Sequence, residues 1–126
     1  MKICFISDTH GRHELLALPE ADVLCHTGDF IHYGTPQELA DFLNWFSSVG
    51  KFNHRIMIAG NHERLLEFDP GLINTLLPSN INYLKDSGVT IDGILFYGTP
   101  YQPEFLRWAF NLSEEELQHK WDIIPD

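Results

Sequence analysis

Three short apolar runs in the first half of the chain have the pattern of strands that are buried on both faces. They cover residues 2–7, 22–27 and 55–59, and each is followed at once by polar residues and glycine. Continuous apolar runs of this length are typical of a parallel sheet that is covered on both sides. The pattern therefore predicts three parallel strands that end in polar loops.

A helix is predicted between the second and third of these runs. Thr35 and Glu38 have the spacing of a capping box, and Pro36 fits the first helical position. Gly50 is suited to end the helix. Apolar side chains recur between these limits at helical spacing and indicate a core-facing stripe, formed by Leu39, Phe42, Leu43 and Phe46.

Two weaker helical patterns flank the strand-like runs. Residues 14–18 favour a short helix that Pro19 stops, and residues 69–78 favour another. The first half of the chain thus has the order β-α-β-α-β, which predicts an α/β fold with a parallel sheet.

The second half of the chain has the pattern of a hairpin followed by a helix. Residues 81–98 favour three short strands, with a tight turn at residues 92–93. Ser113 and Glu116 form a second capping box, which opens a final helix that runs to about Trp121.

Length and charge limit the expected ligands. The 126 residues, of which 44% are apolar, suit a single folded domain. Acidic residues number 18 against 8 basic residues, which gives a formal charge of −10. This charge repels a polyanionic backbone and attracts divalent cations, so we expect a small phosphoester or nucleotide substrate rather than a long nucleic acid.

The apolar segments and the cysteines predict a location. No segment approaches the length of a membrane span, and the first apolar run is shorter than the core of a secretory signal. Cys4 and Cys25 lie inside strand-like runs, where a free cysteine behaves as a small hydrophobe. We therefore expect a cytoplasmic protein with two reduced core cysteines and no membrane contact.

Each strand-like run ends in residues that suit metal binding. The three signatures are Asp8-Thr9-His10, Gly28-Asp29 and Gly60-Asn61-His62-Glu63. In an open α/β sheet, ligands bind beyond the carboxyl ends of the parallel strands, so the signatures are expected to meet at one edge. The two glycines allow the backbone to turn sharply beside a ligand.

These residue types predict a centre for divalent metal ions. Carboxylate, imidazole and amide oxygen are suitable ligands, and Mn²⁺ is the expected ion, with Fe²⁺, Zn²⁺ or Mg²⁺ as alternatives. Strand side chains alternate, so Asp8 and His10 point to the same side and can share one ion. Asp29 can bridge that ion to a second, which Asn61 also binds.

His62 is the predicted catalytic acid, because at this place it can protonate a leaving oxygen. Glu63 is expected to orient the His62 ring. Arg12 and Arg64 are candidates to clamp phosphate oxygens, since a guanidinium pairs with phosphate bidentately. A solvated or ion-paired side chain is an equally good interpretation of both arginines.

Several other residues admit two interpretations. His26 lies on the opposite strand face from Asp29 and is expected to pack or to form hydrogen bonds, whereas His13 and His32 could reach a metal from their loops. A group of aromatic residues could stack on a nucleobase, although core packing is favoured: Tyr97, Tyr101, Trp108 and Phe110.

With these motifs the sequence resembles the calcineurin-like metallophosphoesterase superfamily. The family pattern D-x-H, G-D and G-N-H-[DE] is matched by Asp8 and His10, Gly28 and Asp29, and residues 60–63. The segments "HTGDF", "IAGNHE" and "YGTPYQPEFLRWAFNL" are similar to the small metallophosphoesterase-domain proteins of the 239FB type. The resemblance implies a sandwich of two β-sheets flanked by helices, with a two-metal centre that hydrolyses phosphoesters through a metal-bound hydroxide. Some relatives act on cyclic nucleotides.

The resemblance also implies that residues 1–126 are the N-terminal portion of a metallophosphoesterase domain, truncated at its C-terminus. The family continues with a strand ending in histidine and a G-H-x-H segment, which supply three metal ligands, and this chain has neither. The resemblance implies that this chain supplies Asp8, His10 and Asp29 as ligands of the first metal. For the second metal it supplies only Asp29 and Asn61.

Two functions follow as alternatives. The first is a metal-dependent phosphoester hydrolase, with a phosphodiesterase as the favoured form. The second is a truncated, catalytically weak or inactive protein that binds metal or phosphate and acts through oligomerisation or a partner chain. Because an exposed sheet edge invites pairing, the expected partner is a second copy in a homodimer or a complementing C-terminal chain.

Overall fold

A four-stranded parallel sheet forms the centre of the fold in a computed structural model that describes residues 1–126. Its strands are β1 (Ile3–Ile6), β2 (Val23–His26), β3 (His54–Met57) and β4 (Ile81–Tyr83), and they lie side by side in this order. The three predicted parallel strands are confirmed. The fourth strand comes from the segment that was expected to belong to the hairpin region.

Helices connect the strands on one side of the sheet. They are a 3-10 turn (His13–Leu15), α1 (Pro36–Ser48), α2 (Arg64–Phe68) and α3 (Leu72–Leu76). The helix predicted over residues 14–18 is wrong in length, because the backbone of Leu16 is already extended. A residue that precedes proline also avoids the helical region, which leaves room for a single turn before Pro19.

Helix α1 begins at the predicted Thr35 cap and Pro36 and ends just before Gly50, and only the predicted capping box is incomplete. The Thr35 hydroxyl accepts a hydrogen bond of 3.1 Å from the Glu38 N–H, as expected of a cap. The Glu38 carboxylate does not complete the box, because it accepts instead from the N–H groups of residues 32–34. At the other end, Gly50 has a positive φ of 61°, as suits a residue that ends a helix. The buried Arg55 guanidinium donates to the carbonyls of Phe46 and Val49 at the end of the helix and to that of Phe52 in the following loop.

The main core lies between the sheet and the helices. The predicted stripe of α1 is confirmed, since all four of its apolar side chains are buried. They pack in one cluster with Leu24 of β2 and Met57 of β3. Full burial of side chains of this size contributes about 1.5–3 kcal/mol each, so this face supplies much of the stability.

A hairpin covers the other face of the sheet. It consists of β5 (Ser87–Ile91) and β6 (Ile94–Gly98), joined by the predicted turn, in which Asp92 and Gly93 have φ values of 49° and 81°. Two successive positive φ values are those of the type I′ turn that tight hairpins prefer. The hairpin closes a second cluster over β2 and β3, so the expected α/β sandwich is confirmed.

The hairpin leaves the outer strand β1 uncovered. Phe5 lies in register with the buried Cys25, yet it is 64% exposed. Strand β6 has no neighbour on its second edge, and its Leu95 is 44% exposed. A groove of about 430 Å³ runs between these two strands.

The end of the chain folds beside the hairpin. Two short strands, β7 (Gln102–Pro103) and β8 (Asn111–Leu112), pair in parallel and lead into α4 (Glu114–Asp122). Its predicted capping box is confirmed, with hydrogen bonds in both directions between Ser113 and Glu116. Neither α4 nor any other helix has the length and apolar character to cross a membrane.

Candidate metal centre

Three loops meet where β1, β2 and β3 end. The backbone N–H of Asp8 donates to the Gly28 carbonyl at 3.0 Å, and that of His10 donates to the Asp29 carbonyl at 3.0 Å. These bonds continue the pairing of β1 with β2 beyond the strands. The first two polar signatures therefore lie side by side, as their positions at strand ends predict.

The second and third loops touch through their glycines. A Cβ atom added to Gly28 would lie 2.8 Å from the Gly60 Cα atom, and Gly28 has a φ of 108°. A side chain at this place would separate the loops, because a contact that short is not tolerated between carbon atoms. Glycine is therefore required for the close approach.

Three of the four predicted metal ligands have left-handed backbones. The φ angles are 55° at Asp8, 43° at His10 and 62° at Asp29. Strand alternation, which was expected to align Asp8 with His10, does not act here because β1 ends at Ile6. A tight turn aligns them instead. Left-handed residues other than glycine store strain and concentrate at functional sites.

The side chains of His10, Asp29 and His62 come together at this place. Each offers one ligand atom, and the three atoms lie within 4.8 Å of one another. Asp8 lies beside them, with its Oδ1 atom 3.8 Å from His10 Nε2. The backbone N–H of His62 also donates to Asp29 Oδ1 at 3.0 Å. His62, predicted as the acid, would thus be within reach of an ion that His10 and Asp29 held.

Asn61 supports a cation at the centre. Its Oδ1 atom is buried and has no hydrogen-bond partner. An unsatisfied buried acceptor costs about 1–3 kcal/mol, and a divalent cation would satisfy it. Together with carboxylate and imidazole groups, this oxygen belongs to a donor set that suits Mn²⁺, Fe²⁺, Zn²⁺ or Mg²⁺. The residues present therefore fit a divalent metal ion.

Glu63 has a different place from the one predicted. Its fully buried carboxylate accepts hydrogen bonds from four backbone N–H groups, those of Gly60, Asp29, Phe30 and Ile31, at 2.6–2.9 Å. It faces inward at the start of α2 and joins the second loop to the third, so the expected contact with the His62 ring is not made. Burial raises the pKa of Glu63 to about 6, although its backbone hydrogen bonds act in the opposite direction.

Trp108 is a site residue that sequence reasoning did not assign to the centre. Its ring lies edge-on to His62, with ring centroids 4.6 Å apart, and His10 contacts the same imidazole at 4.5 Å. The segment of Trp108 is attached to the third loop, because the Ala109 N–H donates to the Asn61 carbonyl at 2.9 Å. No spacing signal connects residue 108 with residue 62, so only the fold reveals the contact.

Of the other aromatic residues considered for stacking on a nucleobase, two lie at the core and one lines the groove beside β1. Phe110 is buried in the main core and Tyr101 packs against it, in agreement with the favoured interpretation. Tyr97 lines the groove beside β1.

The remaining histidines lie outside the cluster of three ligands. His13 is buried against Trp45, and burial lowers its pKa. His32 is exposed in the loop after β2. His26 is buried and accepts or donates hydrogen bonds with both ring nitrogens, as one of its two interpretations predicted.

A cavity of about 880 Å³ opens beside the centre, and Asp8, His10 and His62 form part of its wall. Arg12 also lines it, whereas Arg64 is exposed at the start of α2 and does not. The lining carries four carboxylates, those of Asp8, Glu14, Glu38 and Asp41, against one arginine. A phosphate anion would be repelled by this wall unless bound cations offset its charge.

An α/β sandwich with such a donor set at the carboxyl ends of its parallel strands defines a divalent-metal protein of the phosphoesterase type. The family model of the calcineurin-like phosphoesterases matches residues 1–124. The chain therefore belongs to the calcineurin-like phosphoesterase family, which consists of metal-dependent phosphoester hydrolases.

Similar proteins occur in animals. The chain is 38% identical over 144 aligned positions to metallophosphoesterase domain-containing protein 1 of Homo sapiens and to that of Mus musculus, with 96% of this chain and 44% of each relative covered. It is 34% identical to the UPF0046 protein K07C11.7 of Caenorhabditis elegans, over 100% of this chain and 48% of the relative. The chain thus spans less than half the length of these relatives.

Proposed function

We propose that this chain carries the metal-binding part of a phosphoester hydrolase and that the favoured reaction is hydrolysis of a phosphodiester. The observation that supports it most is the meeting of His10, Asp29 and His62 within 4.8 Å at the ends of the parallel strands. The chain belongs to the calcineurin-like phosphoesterase family, and this membership supports a role of the cluster in phosphoester hydrolysis.

The metal ligands in this proposal are Asp8, His10, Asp29 and Asn61, and Mn²⁺ is the proposed ion. A divalent ion held there would supply positive charge to the phosphate and lower the pKa of a water molecule. Asp29 joins the second loop to the third, because its Oδ1 atom accepts a hydrogen bond from the His62 N–H.

His62 is the proposed acid that delivers a proton to the leaving oxygen. Its ring is held between His10 and Trp108, which fixes the direction in which it can donate. Arg12, on the cavity wall, is the proposed phosphate clamp. The remaining charges of the cavity wall are acidic and repel a polyanion. The proposed substrate is therefore a small phosphoester, which binds at the metal centre.

The test is a joint measurement of bound Mn²⁺ and of Mn²⁺-dependent hydrolysis of a bis-aryl phosphodiester. We expect Asp29→Ala to lose metal and turnover together. His62→Ala should keep the metal and lose at least about 100-fold in kcat, which is the contribution of a positioned acid. His119→Ala, on the exposed surface of α4, is the matched control and should change neither quantity.

The separate readouts distinguish the possible failures. Loss of metal in His62→Ala would identify His62 as a ligand instead of the acid. Wild-type turnover in Asp29→Ala, or the absence of bound metal in the wild type, would contradict the proposal.

A second candidate function rests on the uncovered strand β1. The exposed Phe5 and the free edge of β6 favour an added strand from a second copy or from a complementing chain, with the metal centre serving for binding. Bound metal without turnover, together with a dimer in sedimentation that Phe5→Ser dissociates, would favour this candidate. A cytoplasmic location is proposed with either function, because both cysteines are buried and unpaired.

A further inference from the structure

His26 lies directly beneath the first two loops of the metal centre. It is the last residue of β2 and is only 1% exposed. Its imidazole is enclosed on the helix side of the sheet by Phe30 and Phe42, with ring centroids 5.6 and 5.2 Å away. A polar ring in such an apolar place is stable only if both nitrogens find partners.

Hydrogen bonds fix the tautomer of this ring. The Gly28 N–H donates to His26 Nδ1 at 3.2 Å, so Nδ1 carries no proton. The proton of the neutral ring is therefore on Nε2, which donates to the Thr9 hydroxyl at 2.9 Å. Burial also lowers the pKa of His26 to about 3, which keeps the ring neutral at physiological pH.

Thr9 connects this buried ring to two of the metal-site residues. It separates Asp8 from His10, both of which have left-handed backbones, and it is itself 8% exposed. The Asp8 side chain is 65% exposed, and its Oδ1 atom lies 3.8 Å from His10 Nε2. The backbone of the turn directs this exposed side chain, and the Thr9 hydroxyl attaches the turn to the buried His26 ring.

The same ring also contacts the second loop. Through Gly28 it is joined to the residue before Asp29, so one imidazole holds the first two loops at a fixed separation. The backbone bonds between these loops set their register, and the two His26 bonds join both loops to the buried ring.

We propose that His26 and Thr9 form a positioning pair that sets the affinity of Asp8, His10 and Asp29 for a divalent ion. The inference rests on the proposed metal centre and adds two residues that do not touch the ion. Groups that hold ligands in this way typically change metal affinity by 10–100-fold when they are removed.

Thr9→Val and Thr9→Ser are the matched variants that test the pair. Valine has the shape of threonine but cannot accept from His26 Nε2, whereas serine keeps the hydroxyl. We expect Thr9→Val to weaken Mn²⁺ binding, measured by calorimetry on the whole chain, by about 10-fold or more. Thr9→Ser should remain within about twofold of the wild type, and the urea midpoint of each variant is measured alongside. His26→Gln, which keeps a donor near the Nε2 position, should retain more affinity than His26→Phe.

The outcomes separate positioning from mere stability. Equal Mn²⁺ affinities in Thr9→Val and the wild type, whatever the urea midpoints, would overturn the inference while leaving the metal centre intact. A wild type that binds no Mn²⁺ would overturn the proposed function and the inference with it. Nitrogen NMR of His26 supplies a readout without metal, because a proton on Nδ1 would contradict the pair by itself.

Discussion

At the scale of single residues, the buried polar side chains of Glu63 and His26 connect the loops of the candidate metal centre. Glu63 gathers four backbone N–H groups from two loops, and His26 connects two loops through its ring nitrogens. Neither side chain can be exchanged for a smaller or differently charged one without leaving buried donors unsatisfied. The geometry of the candidate ligands therefore depends on residues that lie below them.

Glu63→Gln should lower the free energy of unfolding by about 2–4 kcal/mol, because the amide group presents its NH₂ to two N–H donors. The measurement is urea unfolding at pH 8, where the wild-type carboxylate is ionised given its pKa of about 6. Glu115→Gln, exposed on α4, is the control. Unchanged stability with a large loss of turnover would instead support the contact with His62 that the sequence predicted.

His26 predicts an acid-dependent loss of stability. Burial lowers its pKa from 6.5 to about 3, so between these values the unfolded chain binds a proton that the folded chain does not. The free energy of unfolding is therefore highest above pH 6.5 and falls by up to about 1.4 kcal/mol per pH unit as the pH drops toward 3. The measurement is the free energy of unfolding of the wild type and of His26→Gln as a function of pH. The difference between the two curves separates the contribution of His26 from those of His13 and Glu63. Parallel curves would contradict the predicted role of His26.

Residue types and spacing predicted that the three polar signatures meet at the ends of the parallel strands, but not how their side chains are held. Asp8, His10, Asp29 and Asn61 could be placed at this edge of the sheet because each follows a strand-like run. The role of Glu63 could not, because the direction of a side chain in a turn depends on φ and ψ values that spacing does not encode.

At the scale of elements, the segment from β7 to β8 forms one wall of the centre. Trp108 contacts His62, the Ala109 N–H donates to the Asn61 carbonyl, and the Phe110 N–H donates to Glu67 of α2 at 2.6 Å. Strands of two residues have no periodicity to read, so the sequence predicted neither β7 nor β8. The longer elements α1 and α4 were predictable because caps and a helical period agree there.

Trp108→Ala should lower kcat by about 10-fold or more with little change in KM, because His62 loses the ring that restricts its direction. Trp108→Phe keeps an aromatic edge and should retain most of the activity. Trp121→Ala, whose side chain is 48% exposed on α4, is the control. An effect confined to the urea midpoint, equal for Ala and Phe, would assign Trp108 to stability alone.

At the scale of the whole molecule, charge and topology act together. Parallel strands bring three distant motifs to one edge, and the formal charge of −10 makes the adjacent cavity attractive to cations. The composition predicted this preference and the family motifs predicted the fold. The incomplete cover of β1 could not be read from the pattern, since Phe5 has the same apolar character as the buried residues beside it.

A metal centre formed by these three loops is the central claim, and the anomalous scattering of Mn²⁺ in crystals of the chain tests it most directly. We predict a peak at coordination distance, about 2.0–2.6 Å, from ligand atoms of His10 and Asp29, with Asn61 Oδ1 turned toward it. Crystals of Asp29→Ala should lack the peak. Saturating Mn²⁺ that gives no peak at this edge of the sheet, or a peak only at the acidic surface of α4, would contradict the account.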